Sequence, residues 1–159
     1  MAMITLIAAI GKNGELGKDN DLIWKISEDL KYFKRVTMNK KIIMGKNTFL
    51  SLPKLLEGRT HIVLSRSGVS SQDVLVYNNI SELIEYLNSI DEEIMVIGGA
   101  SIYKEFIKIA EKMILTIVDS SSDADVYFPK INEKEWIVEK IFEGKFNEIN
   151  YSRKIYLKK

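Results

Sequence analysis

A chain of 159 residues with 46% apolar and 28% charged side chains can bury a core of its own and is not patterned like a disordered segment. Its formal net charge of +1 excludes the basic footprint of a nucleic-acid or membrane-surface binder. Cysteine is absent, which excludes a disulfide scaffold and thiol catalysis and suits the cytoplasm, and with His61 as the one histidine no metal site is expected.

The opening MAMITLIAAI is apolar but has no basic leading region, and its apolar stretch stops at Gly11-Lys12-Asn13-Gly14. It is too short to cross a bilayer and reads as a buried first strand, Ile4–Ile10. The segment Gly11–Trp24 holds Gly11, Gly14 and Gly17 and few apolar residues before Leu22, so it reads as a long polar loop. Such a loop fits a lid over a site, and equally a plain surface connection.

A helix follows, with Ser27 as its expected N-cap. At 100° per residue Asp29 falls within the stripe of Ile26, Leu30, Phe33 and Val36. A carboxylate on an apolar face loses hydration unless donors meet it, and a flat heterocycle offering two N–H groups would do so. The competing reading is an acid that complements the helix dipole; Asp29 alone does not decide between them.

Strand-length apolar runs then recur at Lys41–Met44, His61–Leu64, Val74–Tyr77, Ile94–Ile97 and Met113–Val118. Between them lie helical patterns. Ser81 is placed to cap one with Leu83, Ile84, Leu87 and Ile90 on a face, and Ile102, Tyr103, Phe106, Ile107 and Ala110 mark another. The alternation argues for an α/β fold, a mainly parallel central β-sheet flanked by helices on both faces. Trp136–Phe142 and Tyr151–Leu157, separated by Glu143–Asn150, read as a C-terminal antiparallel hairpin on the sheet edge. No linker, repeat or low-complexity tract divides residues 1–159, so one domain is expected.

Three strand ends share one character. Lys41–Met44 runs into Gly45-Lys46-Asn47-Thr48, His61–Leu64 into Ser65-Arg66-Ser67-Gly68, and Ile94–Ile97 into Gly98-Gly99-Ala100-Ser101. In a parallel sheet these ends lie along one edge, where ligands bind, and open helix N-termini with Lys46 and Arg66 favour phosphate. Each turn alone is ordinary; the three together favour a long anionic ligand such as a dinucleotide. The Rossmann and P-loop glycine patterns are both absent, so the mode of binding differs from either.

Read in order, these residues resemble dihydrofolate reductase, over nearly the whole chain. The resemblance is carried by Leu6-Ile7-Ala8-Ala9, Leu16-Gly17 and Asn20 before Trp24, Asp29-Leu30-x-x-Phe33-Lys34, and Ile43-Met44-Gly45-x-x-Thr48-x-x-Ser51 with Gly58-Arg59. Val96-Ile97-Gly98-Gly99-Ala100-x-Ile102-Tyr103, Thr116, and Asp125 with Phe128-Pro129 complete it. The resemblance implies that dihydrofolate is reduced with NADPH, serving one-carbon metabolism, with antifolates as competitors and no nucleic-acid or membrane partner; a monomer is expected.

It also implies roles. Asp29 would hold the pterin ring, supported by Thr116, with Leu22 and Trp24 completing the catalytic set. Ile7, Ala8, Ala9, Leu30, Phe33, Lys34, Leu52, Ile97 and Tyr103 would line the substrate site, and Arg59 would pair with the glutamate α-carboxylate. The cofactor would meet Ala9, Leu16, Gly17, Asn20, Gly45, Lys46, Asn47, Thr48, Leu64, Ser65, Arg66 and Ile97. The turn Gly98-Gly99-Ala100-Ser101-Ile102-Tyr103 would serve its pyrophosphate, with the rare cis peptide known in this family between the two glycines.

Three departures stand out: Ile23 where the family usually has proline, Ser101 where some members carry a phosphate-binding arginine, and Asn47 in place of a common basic residue. The nearest rival is a ribosyl-pyrimidine reductase of the riboflavin pathway, against which Asp29, Phe33 and Arg59 favour folate. A non-catalytic binder would be favoured by loss of Asp29 or of Gly98-Gly99, and both are present. A scaffold or interaction domain would leave the three cofactor-compatible strand ends unexplained.

Overall fold

The computed structural model describes residues 1–19 and 21–159. In chain order the elements are β1 (Met3–Gly11), β2 (Glu15–Lys18), β3 (Asp21–Leu22), α1 (Ser27–Thr37), β4 (Lys41–Gly45), α2 (Lys46–Ser51), β5 (Thr60–Leu64) and β6 (Leu75–Tyr77). There follow α3 (Ile80–Asn88), β7 (Glu93–Gly98), α4 (Ala100–Phe106), β8 (Lys112–Val118), β9 (Val126–Tyr127), a short 3-10 turn at Glu133–Glu135, β10 (Trp136–Phe146) and β11 (Ile149–Lys158).

The main sheet runs β10-β11-β8-β1-β7-β4-β5-β6. Every pairing from β8 through β1, β7, β4 and β5 to β6 is parallel; β11 joins β8, and β10 joins β11, antiparallel. Period-two alternation divides its side chains between two cores. Leu6, Ile43, Ile62, Val96 and Leu115 face α3 and α4, where Leu83, Leu87, Ile102 and Phe106 cover them. Ile7, Ile42, Met44, Val63, Met95 and Ile114 face the opposite way and receive Tyr32, Phe33 and Val36 of α1 with Phe49, Leu52 and Leu56. Because both faces are covered, the strands read as continuous apolar runs, the pattern expected of a parallel sheet.

The topology positions the site. After β1 the chain passes over to β4 and winds outward to β5 and β6. It then returns to insert β7 between β1 and β4, and β8 is laid on the other side of β1. The carboxyl ends of β1, β4, β5, β7 and β8 therefore open on one edge, around the switch in winding direction where α/β sheets take their ligands.

Four local expectations are corrected. Ser27 is the first helical residue and not the cap: Ile26 occupies that position, buried against Val118 and Tyr151, and its carbonyl accepts from Leu30 N at 2.9 Å. Burial of Ile26 fixes the start of α1 without any side-chain cap. Ser81 likewise yields to Asn79, whose Oδ1 accepts from Glu82 N at 3.0 Å. The terminal hairpin is longer than expected, since β10 continues through Glu143 to Phe146 and the reversal needs only Asn147 and Glu148. Both have left-handed φ, 48° and 66°, the geometry of a tight hairpin turn built here without the usual glycine.

The fourth correction concerns Gly11–Trp24. It is not a featureless loop: β2 pairs with β3 and with β9 in a small antiparallel sheet. Leu16 joins the core, and Glu15 is only 2% exposed. Burial pushes the Glu15 carboxyl up, but N–H groups of its own backbone, Ser122 and Asn13 outweigh that and hold it below the usual carboxylate range. A polar residue that brings its own donors is buried at little cost, which an apolar-pattern reading cannot see.

Candidate active site

The site is built outward from Asp29. It lies in the first turn of α1, on the side turned to the sheet, and its Oδ1 accepts hydrogen bonds from Thr116 Oγ1 and, at 2.9 Å, from Arg153 Nη2. Sheet register explains the convergence. Ala9 of β1, Thr116 of β8 and Arg153 of β11 lie abreast on three adjacent strands. Asp29 thus meets one strand row, and one of its oxygens receives both donors.

Around it the expected apolar wall is partly assembled. Ile7 is buried beneath, Phe33, Leu52 and Ile97 pack half-buried on the same core, and Ala9 is partly exposed on β1, whereas Ala8, expected in this wall, alternates to the opposite face and packs on the core under α3 and α4. Leu30 is 51% exposed, so α1 leaves an apolar side chain uncovered beside Asp29. Lys34 is exposed on α1, and its carbonyl accepts from Arg59 Nη2 at 3.0 Å. Arg59 also donates Nε to Thr37 Oγ1 at 3.2 Å and Nη1 to the Glu57 carbonyl at 2.6 Å. The guanidinium is thereby fixed at the rim beyond the end of α1.

Along the same sheet edge the three strand ends meet. The peptide between Gly98 and Gly99 is cis, and Gly98 has φ 125°, a conformation side chains resist. A Cβ on Gly99 would stand 3.5 Å from Thr48 Oγ1, and one on Gly45 3.1 Å from Ile102 Cγ1, so the turns after β4 and β7 nearly touch. Neither α2 nor α4 has a side-chain cap. Tyr103, buried beside Gly98, donates its hydroxyl to the Ile7 carbonyl at 2.6 Å, just past the last β1–β7 pair at Leu6 and Val96. Burial pushes this phenol well above its ordinary value, so it stays a donor.

Lys46 Nζ reaches across to Ser67 Oγ at 2.8 Å, joining the turn after β4 to that after β5. Ser65 is buried and held to Gly68 O at 3.3 Å, and Leu64 is half-buried, whereas Arg66, Asn47 and Ser101 are exposed. Ala100 opens α4 and Ile102 is buried in its first turns. The structure does not gather every expected residue at one point. Leu16 and Gly17 lie in the small sheet, where a Cβ on Gly17 would collide with the Asp21 carbonyl at 2.8 Å. Leu22 is 58% exposed, and Trp24 donates Nε1 to the Glu15 carbonyl at 3.0 Å. Asn20 lies outside the described residues.

Arg153 escaped the sequence reading. Its signal was present: in Tyr151–Leu157 the inward alternation Tyr151, Arg153, Ile155 places a guanidinium among apolar residues. Thr37, which orients Arg59, and Tyr32, whose ring lies 3.8 Å beneath the Arg153 guanidinium carbon, were missed with it. His61, assigned no role, is buried, and its Nε2 accepts from Leu56 N at 3.0 Å, bracing the segment before Arg59.

Comparison with known proteins places this arrangement. A family model described as dihydrofolate reductase matches residues 3–158. A dihydrofolate reductase of Buchnera aphidicola from Acyrthosiphon pisum is 40% identical over 157 residues, covering 96% of this chain and 97% of that protein. That of Haemophilus influenzae is 36% identical over 135 residues, covering 85% and 84%. A solved structure, dihydrofolate reductase from Enterococcus faecalis complexed with NADP(H) and RAB-propyl, has a TM-score of 0.85 at 28% identity, covering 98% of this chain and 96% of that one. The chain belongs to the dihydrofolate reductase family, whose reaction is the NADPH-dependent reduction of dihydrofolate to tetrahydrofolate.

Proposed function

We propose that the reaction takes place in the cleft over the carboxyl ends of β1, β4, β7 and β8, with Asp29 as the anchor of the pterin ring. The observation that carries this reading is a carboxylate oriented by Thr116 and Arg153, on the helix that also carries the exposed Leu30 and the half-buried Phe33. Both donors fall on Oδ1, so Oδ2 keeps its lone pairs for a ligand N–H.

The residues opposite suit a dinucleotide. Glycine at 98 and 99 leaves room for close backbone approach, the uncapped starts of α2 and α4 offer N–H groups, and Lys46 supplies positive charge. Gly45, Lys46, Thr48, Ser65, Arg66, Gly98, Gly99 and Ala100 would hold NADPH, which supplies hydride from nicotinamide C4 to pterin C6. The protein's share is placement and electrostatics. Asp29 fixes the ring through its N–H and amino groups, and Arg59 pairs with the glutamate α-carboxylate. Glu15 spends its oxygens on Asn13 and Ser122 under the small sheet. Asp29 itself binds the side of the ring away from C6, so the proton for N5 comes through water.

The small sheet of β2, β3 and β9, which carries the exposed Leu22, is assigned the role of a lid, with Ile23 altering how it moves. Among the described residues no helix is long and apolar enough to cross a membrane. A cytoplasmic monomer belongs to the same reading, for which the absence of cysteine speaks. The test is loss of NADPH absorbance with purified protein, with and without dihydrofolate, repeated with NADH. Loss that requires dihydrofolate and is fast with NADPH supports the reading. Arg66 is assigned the terminal phosphate that NADPH has and NADH lacks, so loss as fast with NADH removes that role, and none at all with NADPH bound points to another substrate.

A further inference from the structure

A guanidinium is an expensive occupant for an inward strand position, and Arg153 is 4% exposed between Tyr151 and Ile155 on the inward face of β11. It lies against two aromatic rings, with its guanidinium carbon 3.8 Å from the Tyr32 ring centre and 5.1 Å from that of Phe142. The pairing with Asp29 is single-pronged. Nη2 reaches Oδ1, while the buried Nε has no hydrogen-bond partner among the described residues. A bidentate pair would have occupied both carboxylate oxygens. Here Thr116 already supplies one donor to Oδ1, Arg153 adds a full positive charge beside it, and Oδ2 is left for the ligand.

We propose that Arg153 is a specificity-determining residue: it presents the anchoring carboxylate as a neutral pair with one open oxygen, so that the cleft favours uncharged 2-amino-4-oxo rings over basic diamino rings that bind as cations. The inference rests on the reading of Asp29 as ring anchor. A cation entering the cleft meets Asp29 and Arg153 together and gains little from their opposed charges, whereas an uncharged ring needs only hydrogen-bond acceptors. Burial against the two rings makes the charge a fixed part of the site.

The test uses two ligands that differ in one group, 6,7-dimethylpterin and 2,4-diamino-6,7-dimethylpteridine. Neither has a glutamate tail, so Arg59 does not contribute. Dissociation constants are measured by tryptophan fluorescence near neutral pH for the unmodified protein and for Arg153→Met, Arg153→Gln, Arg153→Lys and Asp29→Asn, with folding followed by circular dichroism. Arg153→Met and Arg153→Gln should raise the preference for the diamino ring about tenfold or more, and Arg153→Lys should leave it within about threefold. Gln keeps a donor for Asp29, so it reports on charge even where Met compromises folding. An unchanged preference in the neutral variants, while Asp29→Asn weakens both ligands, would overturn the role of Arg153 alone. Asp29→Asn binding both ligands normally would overturn the anchor and this inference with it.

Discussion

Arg59 offers the sharpest quantitative handle on the substrate site. A guanidinium has five N–H donors, and Arg59 gives three of them to Thr37, Glu57 and Lys34. One N–H on each terminal nitrogen remains, the pair needed to grip a carboxylate with two parallel bonds. Charge-assisted bonds of this kind contribute about 1.5–3 kcal/mol, and the position at the rim puts the pair toward the lower end. Arg59→Ala should therefore raise KM for dihydrofolate roughly 10- to 30-fold with little change in kcat. The assay compares dihydrofolate with a dihydropteridine that lacks the glutamate tail. If Arg59 is the clamp, KM for the tailless substrate stays within about twofold of the unmodified enzyme. An equal rise for both substrates would mean that the substitution merely loosens the end of α1, and the clamp would be refuted.

Three further outcomes are expected. Asp29→Asn should keep the fold, because Asn can still accept from Thr116, yet lower turnover by about two orders of magnitude or more; near-normal turnover at neutral pH would remove Asp29 from its role. Tyr103→Phe leaves the Ile7 carbonyl short of a buried donor, at about 1–3 kcal/mol, so thermal melting should show Tm lower by roughly 2–10 °C, and an unchanged Tm would contradict the bond. Burial holds the His61 imidazole below its ordinary value, so its neutral form is favoured in the folded protein. The stability this contributes is present above the unfolded value and is lost as pH falls through that value toward the folded one. Denaturant midpoints at about pH 7.5 and about pH 5.5 should fall further in the unmodified protein than in His61→Gln, and parallel falls would exclude the histidine.

Much of this could be read from the sequence because the physics there is local or periodic. Doubly covered strands need unbroken apolar runs, and Ile42–Met44 and Ile94–Val96 announce themselves that way. Asp29 was visible for the opposite reason, as a charge on an apolar stripe. The pairing of β2 with β9 was not visible, because it joins Glu15 to Tyr127 across more than a hundred residues and neither segment has strand composition. Arg153 illustrates the same limit. Its alternation was legible, but its partner lies 124 positions away on another element. The helix starts failed on a finer scale: Ser27 and Ser81 are suitable caps chemically, and Ile26 and Asn79 won through burial and a better-placed acceptor.

The order in which the strands arrive has a consequence for synthesis. β1 lies at the centre of the sheet, yet Ile4 pairs with Ile94 and Ala9 with Thr116, so both its neighbours are encoded about 90 to 110 residues downstream. At roughly 5–20 residues per second, translation leaves this apolar strand without a ladder partner for roughly 5–20 s. During that interval Leu6, later fully buried, and its buried neighbour Ile7 are exposed on the nascent chain. The strand that anchors the finished cleft is thus the part of the chain with the longest claim on a holding chaperone, and translation speed through β4 to β6 becomes a determinant of yield.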